Sequence, residues 1–397
     1  MTPKGLPNFN DTELAFRHLS DKDLSRGRLL FQLLSRPRLV ALGSFFAKLA
    51  LWLRVPISWA VRPTVYAQFC GGESIEDCNS TIESLHEHGV RTILDYSAEG
   101  ITTEEDLDNT CAEILATIEA ASNDPRHAFA VFKSSGLSLH NLLSKNIEDF
   151  TVKEEGDWEN VLRRTRSICQ STSDAKGRVL IDAEETWLQD NIDDISEDMM
   201  ADFNRETAIV FTTVQLYRHD RLEYLKTLCI RSKEGEFKVG VKLVRGAYME
   251  KERARALAEG YKSPIQKDKA ATDRDYDAAV EFCLDNIDQI HLFVGTHNAD
   301  STLLVCEKMA DRGIPNNDPR ISFSQLLGMS DQITFNLAAH GYNIAKYVPY
   351  GPIREAMPYL IRRAKENTSV AGQTSRELEL IRIETERRRK SRTAKKN

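Results

Sequence analysis

Cysteine is sparse and scattered. The seven residues at 70, 78, 111, 169, 229, 283 and 306 are odd in number and form no C-x-x-C. That argues against a disulfide framework or a zinc cluster and suits a reducing compartment. Positive charge is not in excess: 53 Lys+Arg stand against 60 Asp+Glu, a net charge of −7. A surface built wholly to grip nucleic acid is excluded. Met1 to Asp23 has no apolar core and carries Asp11, Glu13, Asp21 and Asp23, unlike a secretory signal or an Arg-rich transit peptide. The most apolar stretch, Ala41 to Val61, is interrupted by Lys48, Arg54 and Pro56. A clean membrane span is not expected there, and two buried helices are favoured over an interfacial one. G-x-S-x-G, H-E-x-x-H, G-x-x-x-x-G-K and G-x-G-x-x-G are all missing, which counts against hydrolase, zinc-protease, P-loop and Rossmann chemistry. No repeat or Pro/Gly-rich linker divides the chain.

What is present suffices for a large core: 41% of the residues are hydrophobic and 28% charged. Residues 1–90 read as a helical region, with helical spacing over Leu29–Ser35, Leu39–Leu53 and Ile75–His88. From there short apolar runs alternate with helical patterns. Strands are predicted at Thr92–Ser97, Ala128–Lys133, Val179–Asp182, Ala208–Val214, Lys238–Val244, His291–Gly295, Arg320–Ser324 and Ile344–Val348. Alternation of this kind predicts an α/β fold, a distorted (βα)8 TIM barrel over 91–370 with an N-terminal helical arm. An open doubly wound sheet is the alternative. Residues 371–397 read as a C-terminal helix and a basic tail, Arg387 to Lys396. That tail is either a solvated end or a contact for an anionic membrane surface.

A barrel does its chemistry at the C-terminal ends of its strands. Those ends here carry Lys133, then Asp182 with Ala183, Glu184 and Glu185, then Gln215. Next come Lys242 with Arg245-Gly246-Ala247-Tyr248, Thr296-His297-Asn298, Gln325-Leu326, and Tyr347 with Pro349-Tyr350-Gly351-Pro352. So many polar ends favour a polar site at the mouth. His297 is the only imidazole among them, so no metal site is expected. The helix after strand eight carries Tyr359, Arg362, Arg363 and Glu366. Two guanidiniums suit a carboxylate; a solvated helix with Glu366 paired to Arg362 is the competing reading. Lys133 or Lys242 would also fit a Schiff-base aldolase.

Three blocks, Lys242-Leu-Val-Arg-Gly-Ala-Tyr248, Tyr347-Val-Pro-Tyr-Gly-Pro352 and Tyr359-Leu-Ile-Arg-Arg-Ala-Lys-Glu-Asn367, resemble the signatures of proline dehydrogenases. Ile181-Asp182-Ala183-Glu184, Thr296-His297-Asn298 and Gln325-Leu-Leu-Gly-Met329 fit in the same order, over about residues 60–390. The likeness is to the monofunctional enzymes. It implies non-covalent FAD, oxidation of L-proline to Δ1-pyrroline-5-carboxylate, and electrons passed to a membrane quinone. It further implies a carboxylate clamp of Arg362, Arg363 and Lys133, and an apolar wall of Tyr248, Leu326, Tyr347 and Tyr359. Glu366 would hold the arginines or approach the amine, and Asp182 would organise the clamp. Lys242 would lie near the flavin N5. Ala183, Gln215, Arg245, Gly246, Ala247, Thr296, His297 and Asn298 would contact FAD, with Thr272 and Tyr276 toward its adenosine end. A bacterial cytoplasmic enzyme, peripheral on the inner membrane, is expected, with a separate pyrroline-5-carboxylate dehydrogenase as a possible partner.

Overall fold

β-Branched and aliphatic runs such as Val179-Leu-Ile and Val239-Gly-Val are buried on both faces, as parallel strands covered on both sides must be. A computed structural model describes residues 5–53, 55, 57–96, 103–122, 124–369 and 373–394, without the side chains of 51, 365–369 and 373–375. The arm holds α1 (Thr12–Phe16), α2 (Asp21–Leu34), α3 (Pro37–Trp52), α4 (Ser58–Val61), α5 (Ala67–Phe69) and α6 (Asn79–His86). The barrel begins with β1 (Arg91–Tyr96), α7 (Glu104–Ala121), β2 (Ala130–Lys133), α8 (His140–Leu143), α9 (Val152–Asp174) and β3 (Val179–Asp182). It continues through α10 (Thr186–Phe203), β4 (Val210–Gln215), α11 (Arg221–Glu234), β5 (Val239–Val244), α12 (Met249–Glu259) and α13 (Lys269–Asp285). It is completed by β6 (Ile290–Gly295), α14 (Ala299–Asp311), β7 (Ile321–Leu326), α15 (Asp331–Ala339) and β8 (Ile344–Tyr350). α16 (Ile353–Ser369) and α17 (Gln373–Ala394) follow.

The eight strands are parallel in the order β1-β8-β7-β6-β5-β4-β3-β2, a nearly closed (βα)8 barrel rather than an open doubly wound sheet. Only a short seam joins β1 to β2. Thr92 N donates to Arg126 O at 2.8 Å, and Ala128 N donates to Thr92 O at 2.9 Å. The lumen is packed, not hollow: Phe129 meets Phe211 and Phe293 edge-on at 5.3 and 5.0 Å, and Tyr347 lies above Phe293. β7 and β8 run beyond their predicted ends, because Gln325–Leu326 pair with Lys346–Tyr347, and Pro349–Tyr350 pair with Asp95–Tyr96.

The arm and the C-terminal helices share one apolar cluster. Phe31, Tyr66 and Phe69 pack with Met357, Tyr359, Leu360 and Ile381. Tyr66 OH donates to Gly351 O at 2.8 Å, and Gly71 N donates to Pro349 O at 2.8 Å, so the arm is sewn onto the end of β8. Gly328 has φ +73°, and an added Cβ would lie 2.1 Å from Gln68 O, so only glycine allows this approach of the arm.

Two expectations are corrected. Ala41–Val61 is not a pair of buried helices: Phe45, Phe46, Trp52 and Trp59 are all exposed. The basic segment is helical through Ala394, and much of it is paired within the chain. Arg388 bonds to Asp21 Oδ1 at 3.0 Å and to Glu384 Oε1 at 2.7 Å, Arg387 reaches Glu13 Oε2 at 2.9 Å, and Arg392 pairs with Asp21. Three of its cations thus fasten α17 to α1 and α2. Lys395 and Lys396 lie outside the described residues.

Candidate active site

The centre of the mouth is a buried triad of polar groups from three strands. Lys242 Nζ on β5 donates to Asp182 Oδ1 on β3 at 2.5 Å and to the Tyr347 hydroxyl on β8 at 2.7 Å. Tyr347 OH in turn donates to Asp182 Oδ1 at 3.4 Å. Burial, with Asp182 beside it, raises the Tyr347 phenol well above its ordinary value, so it stays a neutral donor. Lys242 Nζ is already engaged by two acceptors, which counts against an imine-forming role.

Asp95 on β1 joins this centre, and the sequence reading passed over it. Burial raises its carboxyl above the usual range; the charges of Lys133, Lys242 and Arg362 offset this only in part, and Asp182 adds to it. Asp95 is thereby coupled electrostatically to groups on β2, β3, β5 and α16. Its signal was in the sequence: Asp95 closes an apolar run, Thr92-Ile-Leu, as Asp182 does. Because β1 was extended to Ser97, its polar end was overlooked.

Lys133 ends β2 and is fixed from behind. Glu184 is buried and accepts from Ser135 N at 2.8 Å and from Ser135 Oγ. The residue after Lys133 and Ser134 is thereby latched to the end of β3. Gln215 Nε2 donates to Glu184 O at 2.7 Å, and its buried Oε1 has no hydrogen-bond partner among the described residues. Ala183 sits half-buried between Asp182 and Glu184.

α16 roofs the mouth with the other half of the predicted site. Tyr359 is buried in the arm cluster, and Leu326 lines both that cluster and the barrel lumen. Arg362 acts electrostatically on Asp95 and on Tyr248, whose phenol burial raises well above its ordinary value. Arg363 places its guanidinium 5.5 Å from the Tyr359 ring centroid and acts electrostatically on His297. The Glu366 side chain lies outside the described residues.

The remaining predicted positions line the mouth from β5 to β7. Gly246 and Ala247 expose their backbone there. Gly246 has φ +132°, and a Cβ would stand 2.4 Å from the Tyr217 ring, so packing within the chain alone demands glycine. Arg245 bridges Asp273 Oδ1 at 2.8 Å, Thr296 Oγ1 at 3.0 Å and Ser301 Oγ at 2.9 Å, over the Tyr276 ring. Asn298 caps α14, accepting from Asp300 N at 2.9 Å. His297 bonds through Nδ1 to Ser330 Oγ at 2.9 Å; burial, with Lys346 and Arg363 adding, lowers it to about 3, so the ring is neutral at pH 7. Thr272 lies in the first turn of α13, and Tyr276 is wholly buried beneath Arg245. No cluster of metal ligands occurs among the described residues.

The barrel mouth therefore brings charged and hydrogen-bonding groups of both signs together beside apolar side chains. Residues 78–376 match the family model for proline dehydrogenase. This chain belongs to the proline dehydrogenase family. It is 32% identical over 322 residues to the carbapenem antibiotics biosynthesis protein CarD of Pectobacterium carotovorum, covering 81% of this chain and 83% of CarD. It is 30% identical to a hydroxyproline dehydrogenase of Xenopus laevis over 97% of this chain and 91% of that protein. Drosophila melanogaster proline dehydrogenase 1, mitochondrial, is 38% identical over 61% of this chain and 37% of its own length. Proline utilization A of Bdellovibrio bacteriovorus shares the fold, with a TM-score of 0.71 at 18% identity; the match covers 91% of this chain and 36% of that one.

Proposed function

We propose that the protein oxidises L-proline to Δ1-pyrroline-5-carboxylate with FAD held at the barrel mouth. The carrying observation is the hydrogen-bonded cluster of Lys242, Asp182 and Tyr347 at the barrel mouth, with Asp95, Lys133 and Arg362 coupled to it electrostatically and apolar side chains beside it. A small amino acid has a carboxylate for the cations and an aliphatic ring for the wall. Arg362, Arg363 and Lys133 bind the carboxylate, using the planar forks of the two guanidiniums. Leu326, Tyr248, Tyr347 and Tyr359 exclude water from the ring and fix its tilt, so that the bond to be broken is presented in one orientation.

The residues fit a flavin. Gln215 Oε1 is a buried acceptor that lacks a donor among the described residues, and Gly246 and Ala247 are exposed after β5. Gln215, Ala183, Arg245, Gly246, Ala247, Thr296, His297 and Asn298 would hold the cofactor, with Thr272 and Tyr276 toward its adenosine end. FAD, when bound, supplies the two-electron acceptor for the C5 hydride. Lys242 keeps a positive charge at the centre of the site, where added electron density is stabilised. Electrons then pass to a membrane quinone, and a pyrroline-5-carboxylate dehydrogenase takes the product. This reading places the enzyme at the inner face of a bacterial membrane.

Anaerobic addition of L-proline to the purified protein tests it. Flavin absorbance should bleach; a colourless protein that cannot be loaded with FAD would remove the reading. The likeness to a hydroxyproline dehydrogenase makes ring specificity a second question. Tyr347 crowds the site above Phe293, which should disfavour a 4-hydroxyl. Equal turnover of trans-4-hydroxy-L-proline would contradict that.

A further inference from the structure

α3 is packed inside out. Its inward stripe is small: Val40 and Ser44 are buried and Ala47 is half-buried. Its outward face carries the large residues Leu42, Phe45, Phe46 and Trp52, continued by Leu53 and by Trp59 on α4. Trp52 is 78% exposed and Trp59 79%, where a water-soluble surface would place polar groups. A contiguous apolar patch of this kind marks an interaction surface.

Charge identifies the partner. Between Asp23 and Glu73 the sequence has no acidic residue, while Arg26, Arg28, Arg36, Arg38, Lys48, Arg54 and Arg62 are all basic. This lies in a chain whose net charge is −7. Arg36, Arg38 and Lys48 are exposed along the helix that carries the aromatics. Aromatic and aliphatic residues rimmed by cations match the boundary of an anionic bilayer. A second copy fits poorly, since a two-fold contact would set these cations against their own counterparts. The helix has 16 residues. That is about 24 Å, short of the roughly 30 Å of a hydrocarbon core. No helix among the described residues is long and apolar enough to cross a membrane.

We propose that the exposed face of α3 and α4 is a docking surface for an anionic lipid bilayer, on which the helix lies in the plane of the headgroups. This moves the membrane contact from the basic tail to the arm. α3 packs against α16, which carries Tyr359, Arg362 and Arg363, so docking sets the roof of the site near the lipid. Only the bearing on a quinone acceptor rests on the function proposed above; the surface itself does not.

Flotation of the full chain with phosphatidylcholine vesicles, with and without phosphatidylglycerol, tests the surface. The protein should float with the anionic vesicles, and its tryptophan emission should shift to the blue. Trp158 is buried and Trp187 is half-buried beneath Lys251 and Arg255, so the exposed Trp52 and Trp59 supply most of that shift, and the double variant removes their part. The double variant Trp52→Glu, Trp59→Glu should neither float nor shift, while proline turnover with a soluble dye is unchanged. Arg36→Gln or Arg38→Gln should weaken binding about fivefold each. Arg389→Gln with Lys390→Gln should float like the parent. Absence of flotation, flotation that survives the tryptophan changes, or flotation lost only with the tail variant would each overturn the proposal. A dimer in solution that the tryptophan variant dissociates would assign the face to a second copy instead. If dye-linked turnover is absent throughout, the proposed reaction fails while the lipid result still stands.

Discussion

The Lys242 ammonium lies 2.5 Å from Asp182 and 2.7 Å from the Tyr347 hydroxyl, joining β5 to β3 and β8 across the barrel mouth. Lys242 is only 6% exposed, and Asp182 is its ion-pair partner. Asp182→Ala should destabilise the fold by about 3–5 kcal/mol, the usual cost of stranding one member of a buried ion pair. Asp182→Asn keeps an oxygen for the lysine and should cost less. Urea unfolding of the three proteins checks the order; equal stabilities would show that Lys242 finds another partner.

Asp95 is expected to set the position of the cations rather than to contact the reacting atoms. The charges of Lys133, Lys242 and Arg362 all act on it. Asp95→Asn should weaken capture of the amino acid by about 1–3 kcal/mol, appearing mainly in KM, because the positive groups lose a common acceptor. Steady-state kinetics with a soluble electron acceptor reads this. A fall in kcat alone, at constant KM, would point to a direct part in the chemistry.

Gly246→Ala should damage folding and not only cofactor binding. The added methyl would meet the Tyr217 ring at 2.4 Å from a backbone with φ +132°. The backbone term alone exceeds about 1 kcal/mol. Tyr217→Ala in the same chain should restore part of the loss by removing the clash. Thermal melts of the single and double variants decide; full stability in the single variant would mean that the loop relaxes freely.

Glu377 should make stability depend on pH. It is buried on α17 and accepts from Ser330 N at 2.8 Å; burial, with Asp331 nearby, raises it from 4.5 to about 7. The folded chain therefore keeps a proton that the unfolded chain has lost. Its stabilising share is whole below about pH 4.5 and disappears as pH rises through 7. Glu377→Gln should be more stable than the parent by about 1–3 kcal/mol near pH 8 and equal to it near pH 4. Melting temperature against pH for both proteins is the measurement, and parallel curves would exclude Glu377.

Much of this barrel was legible because its strands are apolar runs with polar stops. Val179–Asp182 is bounded in the structure as the sequence indicated. β7 and β8 were cut short because Gln325 and Pro349 look like strand ends, whereas the ladder to the neighbouring strand carries the backbone on. α12 was unseen because Met249–Glu259 is mostly charged and exposed, with little apolar period to read. The candidate site positions were read from strand ends and from α16, but how Arg362 and Arg363 are presented depends on how α16 is rotated, which adjacent residues do not encode. The orientation of α3 was hidden for a related reason. An apolar helix looks the same in sequence whether its large side meets protein or lipid.

The short seam between β1 and β2 adds a mechanical consequence. Strands held by a full ladder separate only when the barrel unfolds, whereas a seam resting on a few hydrogen bonds near Thr92 can part locally at lower cost. Asp95 and Lys133 end the two strands on either side of it. Thermal breathing at that joint moves Asp95 and Lys133 apart before it melts the barrel, so warming should disturb this end of the mouth while the rest of the chain is still folded.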